Sequence, residues 1–202
     1  MIKNCLVKTT IYLYYHSMKN IVLWQKFFDR NPVLVCQELL GKFLVIKKKW
    51  ILQKYMITDV EAYDWQEDEA SHARHGKTQR NAPMFGAPGC WYVYMIYGMY
   101  YMLNIVTGPG NHPSAILLRW LAQLSMTNDK WQIHTKQFNG PGKLTKKLCI
   151  DTTFNGKIAD ETTWLRIEES GKKISDIKTA PRIGIDYASD ERKNKHRRFF
   201  VG

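Results

Sequence analysis

The chain has 202 residues, 45% of them apolar and 24% charged, with a formal net charge of +12. That length suits one compact domain with a sizeable core, and the composition excludes a disordered chain. The positive excess points to an anionic partner, nucleic acid before an acidic membrane surface, or else to a lysine-rich bias spread over a solvated surface.

Cys5, Cys36, Cys90 and Cys149 are scattered, which fits reduced thiols in a cytosolic compartment better than a disulfide frame or a zinc site. No apolar stretch is long enough to span a bilayer; Trp91 to Val106 is short and holds Gly98 and Asn104. The first residues carry basic groups but only a broken apolar run, so no signal peptide is expected, and Met18 offers an alternative start.

In chain order, Trp24 to Leu40 has apolar residues at helical spacing, with Asn31-Pro32 as a capped start of its second part and Gly41 as its end. Phe43–Lys47 and Tyr55–Tyr63 read as strands around a basic turn. Trp65 to His75 is a short helix or an ordered loop, and Gly76 to Gly89 is loop. Two aromatic strands meet near Tyr97-Gly98 within Trp91–Ile105, and Ala115–Leu121 is another strand. Lys143–Leu148 is a helix opened by the Asn139-Gly140-Pro141-Gly142 turn. Trp164–Glu168 and Phe199–Val201 are short late strands. Strands grouped with peripheral helices predict an α+β domain around an antiparallel sheet.

Neither alternate face of the first aromatic strand is polar: Trp91, Val93 and Met95 form one set, and Tyr92, Tyr94 and Ile96 the other. Such a strand must be covered on both faces or present one to a ligand. Gly98 permits a tight turn that gathers Tyr97, Met99 and Tyr100 near its tip, poised to meet a base stack, or buried in a core or a dimer interface. Upstream, Glu61 and Tyr63 share a strand face with Asp59 alongside, giving either a general base for water or an exposed strand-end charge.

Glu67-Asp68-Glu69 reads as a solvated or helix-N-terminal charge cluster. Glu69 and His72 form one Glu-x-x-His pair with no second pair, and His72 with His75 lacks a third ligand, so no metal is expected. Gly41-Lys42 and Gly142-Lys143 fail the phosphate-loop pattern, although the Asn139–Lys143 turn offers backbone amides and an ammonium to a nucleic-acid phosphate.

Taken together the segments resemble the alkyladenine (3-methyladenine) DNA glycosylase family of the type without a helix-hairpin-helix motif. The resemblance runs from about Trp24 to the C-terminus. It is carried by LLGK at Leu39–Lys42, VEAY at Val60–Tyr63, EDEASH at Glu67–His72, RN at Arg80-Asn81 with MFG at Met84–Gly86, PGCWYVYMIYGMYYMLNIV from Pro88, AILLR at Ala115–Arg119, NGPGKL from Asn139 and PRIGI at Pro181–Ile185.

The resemblance implies one domain with a curved antiparallel sheet and a protruding hairpin that enters the minor groove of DNA. It divides the chain into an N-terminal extension at 1–20, dispensable if Met18 is the start, and a catalytic domain at 21–202. Glu61 is implied as the general base, with Arg119 and the Ile183 backbone holding the attacking water. Tyr63, His72 and Tyr94 would wall the flipped base, and Asn104 would exclude normal guanine. Tyr97 would fill the hole in the duplex, with Met99, Tyr100, Lys143 and Arg80 as further DNA contacts.

The expected reaction is monofunctional release of 3-methyladenine, with 7-methylguanine, hypoxanthine and ethenoadenine as further substrates. It needs no metal or organic cofactor and leaves an abasic site. Damaged duplex DNA is the expected partner of a monomer that meets no membrane, in the cytoplasm with the DNA, or with the nucleoid of a bacterium. The loop from Val106 to Ser114 carries no transferable contacts, and the C-terminal KNKHRRFFVG reads as a solvated tail or a DNA contact, the tail being preferred. A non-catalytic binder of damaged or single-stranded nucleic acid and a dimer built on the aromatic hairpin are the rival readings.

Overall fold

In a computed structural model of the protein, the described residues are 21–48, 51–65, 67–109, 112–127 and 130–202, with side chains left aside for 124–139. The N-terminal extension, including Cys5 and Met18, lies outside them.

Two short helices open the described chain, α1 (Gln25–Phe28) and α2 (Pro32–Leu39). They divide where Asn31-Pro32 demands it. The Asn31 side chain accepts the Val33 N–H at 2.9 Å, and Pro32 sits at the first helical position, where its missing N–H costs nothing.

The sheet follows: β1 (Phe43–Lys48), β2 (Ile51–Tyr63), β3 (Trp91–Ile96), β4 (Tyr100–Thr107), β5 (Ser114–Thr127), β6 (Lys130–Asn139), β7 (Leu165–Glu168), β8 (Ile177–Ala180) and β9 (Arg198–Val201). The main path runs β3-β4-β5-β2-β1-β7, with β6 on β5 and β8 on β9; the paired strands are antiparallel. The expected α+β domain with a curved antiparallel sheet is therefore present. Helices α3 (Pro141–Leu148) and α4 (Asp190–Lys193) lie between strands along the chain.

Several readings of the sequence need correction. Strand β2 starts four residues before the expected Tyr55, and β5 runs on to Thr127 to pair with β6, a strand that sequence reading did not anticipate. Helix α3 starts at Pro141, not Lys143, because Gly140 takes a φ of +155° and hands Pro141 the first position. The C-terminus is no solvated tail: Arg198–Val201 is β9, Phe199 is buried, and Arg198 is ion-paired to Asp59 at 2.6 Å. Strand β8 was also missed, its short IKTA sequence carrying too little alternation to stand out.

Alternation decides what each strand gives to the core. Trp91 and Val93, Leu103 and Ile105, Ile116 and Leu118, and Val60 and Ala62 form one cluster with Val35 and Leu39 of α2. Burying each such aliphatic side chain stabilises the fold by roughly 1.5–3 kcal/mol. The intervening residues of the same four strands face the other way. That second face is the site.

Candidate active site

Register builds the site in rows. Tyr92 is paired with Asn104, Asn104 with Leu117, and Leu117 with Glu61, so one row crosses β3, β4, β5 and β2. The rows on its two sides place Tyr94 beside Met102 and Tyr63 opposite Ala115. Register shifts around Asp59 interrupt the pairing of β2 with β5 just before Glu61. The same stretch, Asp59–Glu61, pairs on its other edge with β9. A bulge of this kind bends a strand and re-aims the side chains beyond it.

Above these rows lies a cavity of about 570 Å³. Tyr63, His72, Arg80, Tyr94, Tyr97, Asn104, Arg119 and Ile183 all line it, together with Tyr92, Tyr187 and Pro141. The His72 ring meets Tyr94 edge-on with centroids 4.7 Å apart, and Tyr92 lies 5.0 Å from Tyr94. The Tyr92 hydroxyl and His72 Nδ1 are 2.8 Å apart. The protein around His72 pushes its pKa down to about 4, first by desolvation and then through the Arg80 charge, so the imidazole is neutral. Burial likewise pushes the Tyr92 phenol up to about 12 and the Tyr94 phenol higher, keeping both hydroxyls protonated.

Glu61 sits one layer behind this wall, with no exposed surface. Its Oε1 accepts the Ile183 N–H at 2.9 Å and lies 3.2 Å from an Arg119 guanidinium nitrogen, while its Oε2 accepts the Tyr63 hydroxyl at 2.9 Å. All three donors belong to residues on the cavity wall. Desolvation outweighs them and raises the carboxyl above its usual range. Such a group is a stronger base than an exposed carboxylate, which suits proton abstraction from water. Asp59, the other carboxylate of this stretch, is taken up by Arg198.

The turns between β2 and β3 hold a correction. Asp68, expected in a solvated cluster, is 2% exposed and takes a two-pronged ion pair from Arg182 at 2.5 and 2.7 Å. Arg182 also donates to the Ala62 carbonyl at 2.9 Å and lies 4.7 Å from the Tyr63 ring centroid. One buried cation thus ties together the end of β2, the His72 turn and the backbone beside Ile183. Sequence reading missed this pair, although Asp68 and Arg182 both lie inside quoted motifs. Nothing in a single sequence matches one charge to another more than a hundred positions away. Tyr92 and Tyr187 were also missed as wall residues.

The hairpin tip is the opposite kind of place. Tyr97 and Gly98 both take left-handed conformations, with φ of +50° and +66°, at the centre of a tight turn in which the Met99 N–H donates to the Ile96 carbonyl at 3.2 Å. Glycine tolerates this; tyrosine is strained by it. Tyr97 is 84% exposed, Met99 66% and Tyr100 39%. Tyr100 packs against Gly142, where an added Cβ would approach its ring to 2.9 Å. This brings the hairpin against the first turn of α3, which carries the exposed Lys143. Met99, Tyr100 and Lys143 stand outside the cavity wall, whereas Tyr97 and Arg80 are part of it.

Among the described residues no group of three or more His, Cys, Asp or Glu side chains is placed to hold a metal ion. His72 is engaged by Tyr92, and His75 accepts from Arg74 at 2.7 Å. No described helix is long and apolar enough to cross a membrane.

The chain is similar to known proteins. Curated relatives provisionally named 3-methyladenine DNA glycosylases include one from Ehrlichia ruminantium (strain Gardel), 41% identical over 170 residues, covering 84% of this chain and 86% of the relative. Another, from Desulfitobacterium hafniense (strain Y51), is 37% identical over 193 residues, covering 89% and 94%. A third, from Methanocella arvoryzae, is 38% identical over 176 residues, covering 84% and 88%. The family model described as methylpurine-DNA glycosylase matches residues 26–202. On the strength of that match, the chain belongs to the methylpurine-DNA glycosylase family.

Proposed function

We propose that the protein hydrolyses the N-glycosidic bond of 3-methyladenine, and of 7-methylguanine, hypoxanthine and ethenoadenine, after rotating the damaged nucleotide out of duplex DNA. The observation that carries this reading is the buried Glu61 carboxylate. Its three donors line an aromatic cavity whose rim is the exposed hairpin tip. The cavity volume falls within the roughly 300–1,000 Å³ of small-molecule sites.

Flipping costs a few kcal/mol of lost stacking and pairing. Tyr97, already held out in solvent, fills the vacated space, while Met99, Tyr100, Lys143 and Arg80 meet the duplex around it. The base lies among Tyr63, His72 and Tyr94. A cationic alkylated purine gains roughly 0.5–2 kcal/mol from each aromatic face. The Asn104 Nδ2 is already bonded to the Tyr92 and Met102 carbonyls, which fixes the amide against the exocyclic amine of normal guanine.

In the reaction a water held by Arg119 and the Ile183 backbone gives a proton to Glu61 as its oxygen bonds to the sugar C1′. The C1′–N bond breaks and its electron pair leaves with the purine, neutralising an alkylated ring. The carboxylate also supports positive charge building on the sugar. Among the described residues no lysine lines the cavity, which supports an abasic-site product without a covalent imine. Trapping by borohydride would contradict that product.

Single-turnover release of 3-methyladenine from methylated duplex tests the reading. Glu61→Gln should slow it by about 10²–10⁴-fold while binding to an abasic-site duplex survives. Unchanged release would favour a non-catalytic binder.

A further inference from the structure

Two arginines touch aromatic walls of the cavity, and they differ. Arg182 lies behind Tyr63, buried and neutralised by Asp68. The Arg80 guanidinium lies 5.1 Å from the Tyr94 ring centroid, on a residue that lines the cavity itself. Among the described residues Arg80 has no carboxylate partner. It donates a 3.3 Å hydrogen bond to the Met95 carbonyl, and its charge acts on the Tyr92 phenol, lowering the pKa that burial raises. The site therefore holds a full positive charge among the very groups, His72, Tyr92 and Tyr94, that would receive the base.

Such a charge acts with opposite sign on the two kinds of lesion. An alkylated purine arrives cationic and is repelled, although its leaving needs little help. A neutral purine leaves with negative charge developing on its ring, which a neighbouring guanidinium stabilises without transferring a proton. No proton donor for neutral bases was legible in the sequence.

Resting on the function proposed above, we infer that Arg80 determines lesion specificity: its guanidinium, seated against Tyr94, promotes release of neutral purines and opposes that of cationic ones. Arg80 is then more than a phosphate contact.

The test compares single-turnover release at saturating protein from duplexes carrying hypoxanthine or 7-methylguanine, for the native protein, Arg80→Met and Arg80→Lys. Saturation removes any loss of DNA affinity from the comparison. Arg80→Met should lower the ratio of hypoxanthine to 7-methylguanine release by about tenfold or more, a factor that corresponds to about 1.4 kcal/mol. Arg80→Lys, which keeps the charge, should recover most of the ratio. An equal loss on both substrates, as a simple DNA contact or a misfolded variant would give, overturns the inference. So does a larger loss on 7-methylguanine. A native protein that releases neither of these bases nor 3-methyladenine defeats the proposed function itself, whereas native release of 3-methyladenine alone, or an unchanged ratio in Arg80→Met, defeats only this inference.

Discussion

The carboxylate corner and the hairpin tip are both built from β-strand sequence, yet they solve opposite problems. At the corner, Glu61, Asp68 and Arg182 are almost wholly removed from water and every charge is answered by a fixed donor or acceptor. At the tip, Tyr97 and Met99 leave large apolar surface in water, and Tyr97 does so in a conformation that tyrosine resists. The corner keeps its chemistry by excluding solvent, so its disturbance is felt in folding and ionisation. The tip contributes little to the fold, so under the proposed function its disturbance is felt only when DNA is present.

The strongest way to break this contrast is at the buried pair. Arg182→Met leaves Asp68 without its counter-charge and should cost about 3–5 kcal/mol in urea unfolding. A loss below 1 kcal/mol would mean that Arg197, 3.7 Å from Asp68, or water takes over.

At the tip the expectation is inverted. Tyr97→Gly removes the left-handed strain, so thermal unfolding should stay level or gain up to about 1 kcal/mol. Base release should nevertheless drop by about 10–100-fold, because the few kcal/mol of stacking lost on flipping go unreplaced. Stable protein with undiminished release would remove the wedge from the mechanism.

The smallest effect sharpens the corner alone. Burial raises the Glu61 carboxyl, and only its ionised form can take a proton from water. Release should therefore climb with pH through a value above the ordinary glutamate pKa of about 4.3. Arg119 is the largest influence that lowers this pKa, so in the slower Arg119→Met variant the limb should move to higher pH. A limb that stays put in that variant would assign it to another group.

Much of the local structure was legible before any fold was known. The Asn31-Pro32 break, the Gly98 turn and the doubly apolar strand at Trp91–Ile96 each follow from properties of neighbouring residues. The strand's two faces indeed go to two destinations, Trp91 and Val93 to the core and Tyr92 and Tyr94 to the cavity. Strand β6 and the buried state of Asp68 were not legible. An alternating polar strand looks like many loops until a partner is known, and an acidic run looks solvated until Arg182 is placed.

The sequence by itself determined the alternation of each strand and the turn at Tyr97-Gly98, because these depend on near neighbours along the chain. Only the tertiary structure decided that Tyr92, Asn104, Leu117 and Glu61 share one row, and that the Ile183 amide closes on a carboxylate 122 positions earlier. Strand register and the dielectric around a buried charge are set by partners far away in sequence, and no local pattern encodes them.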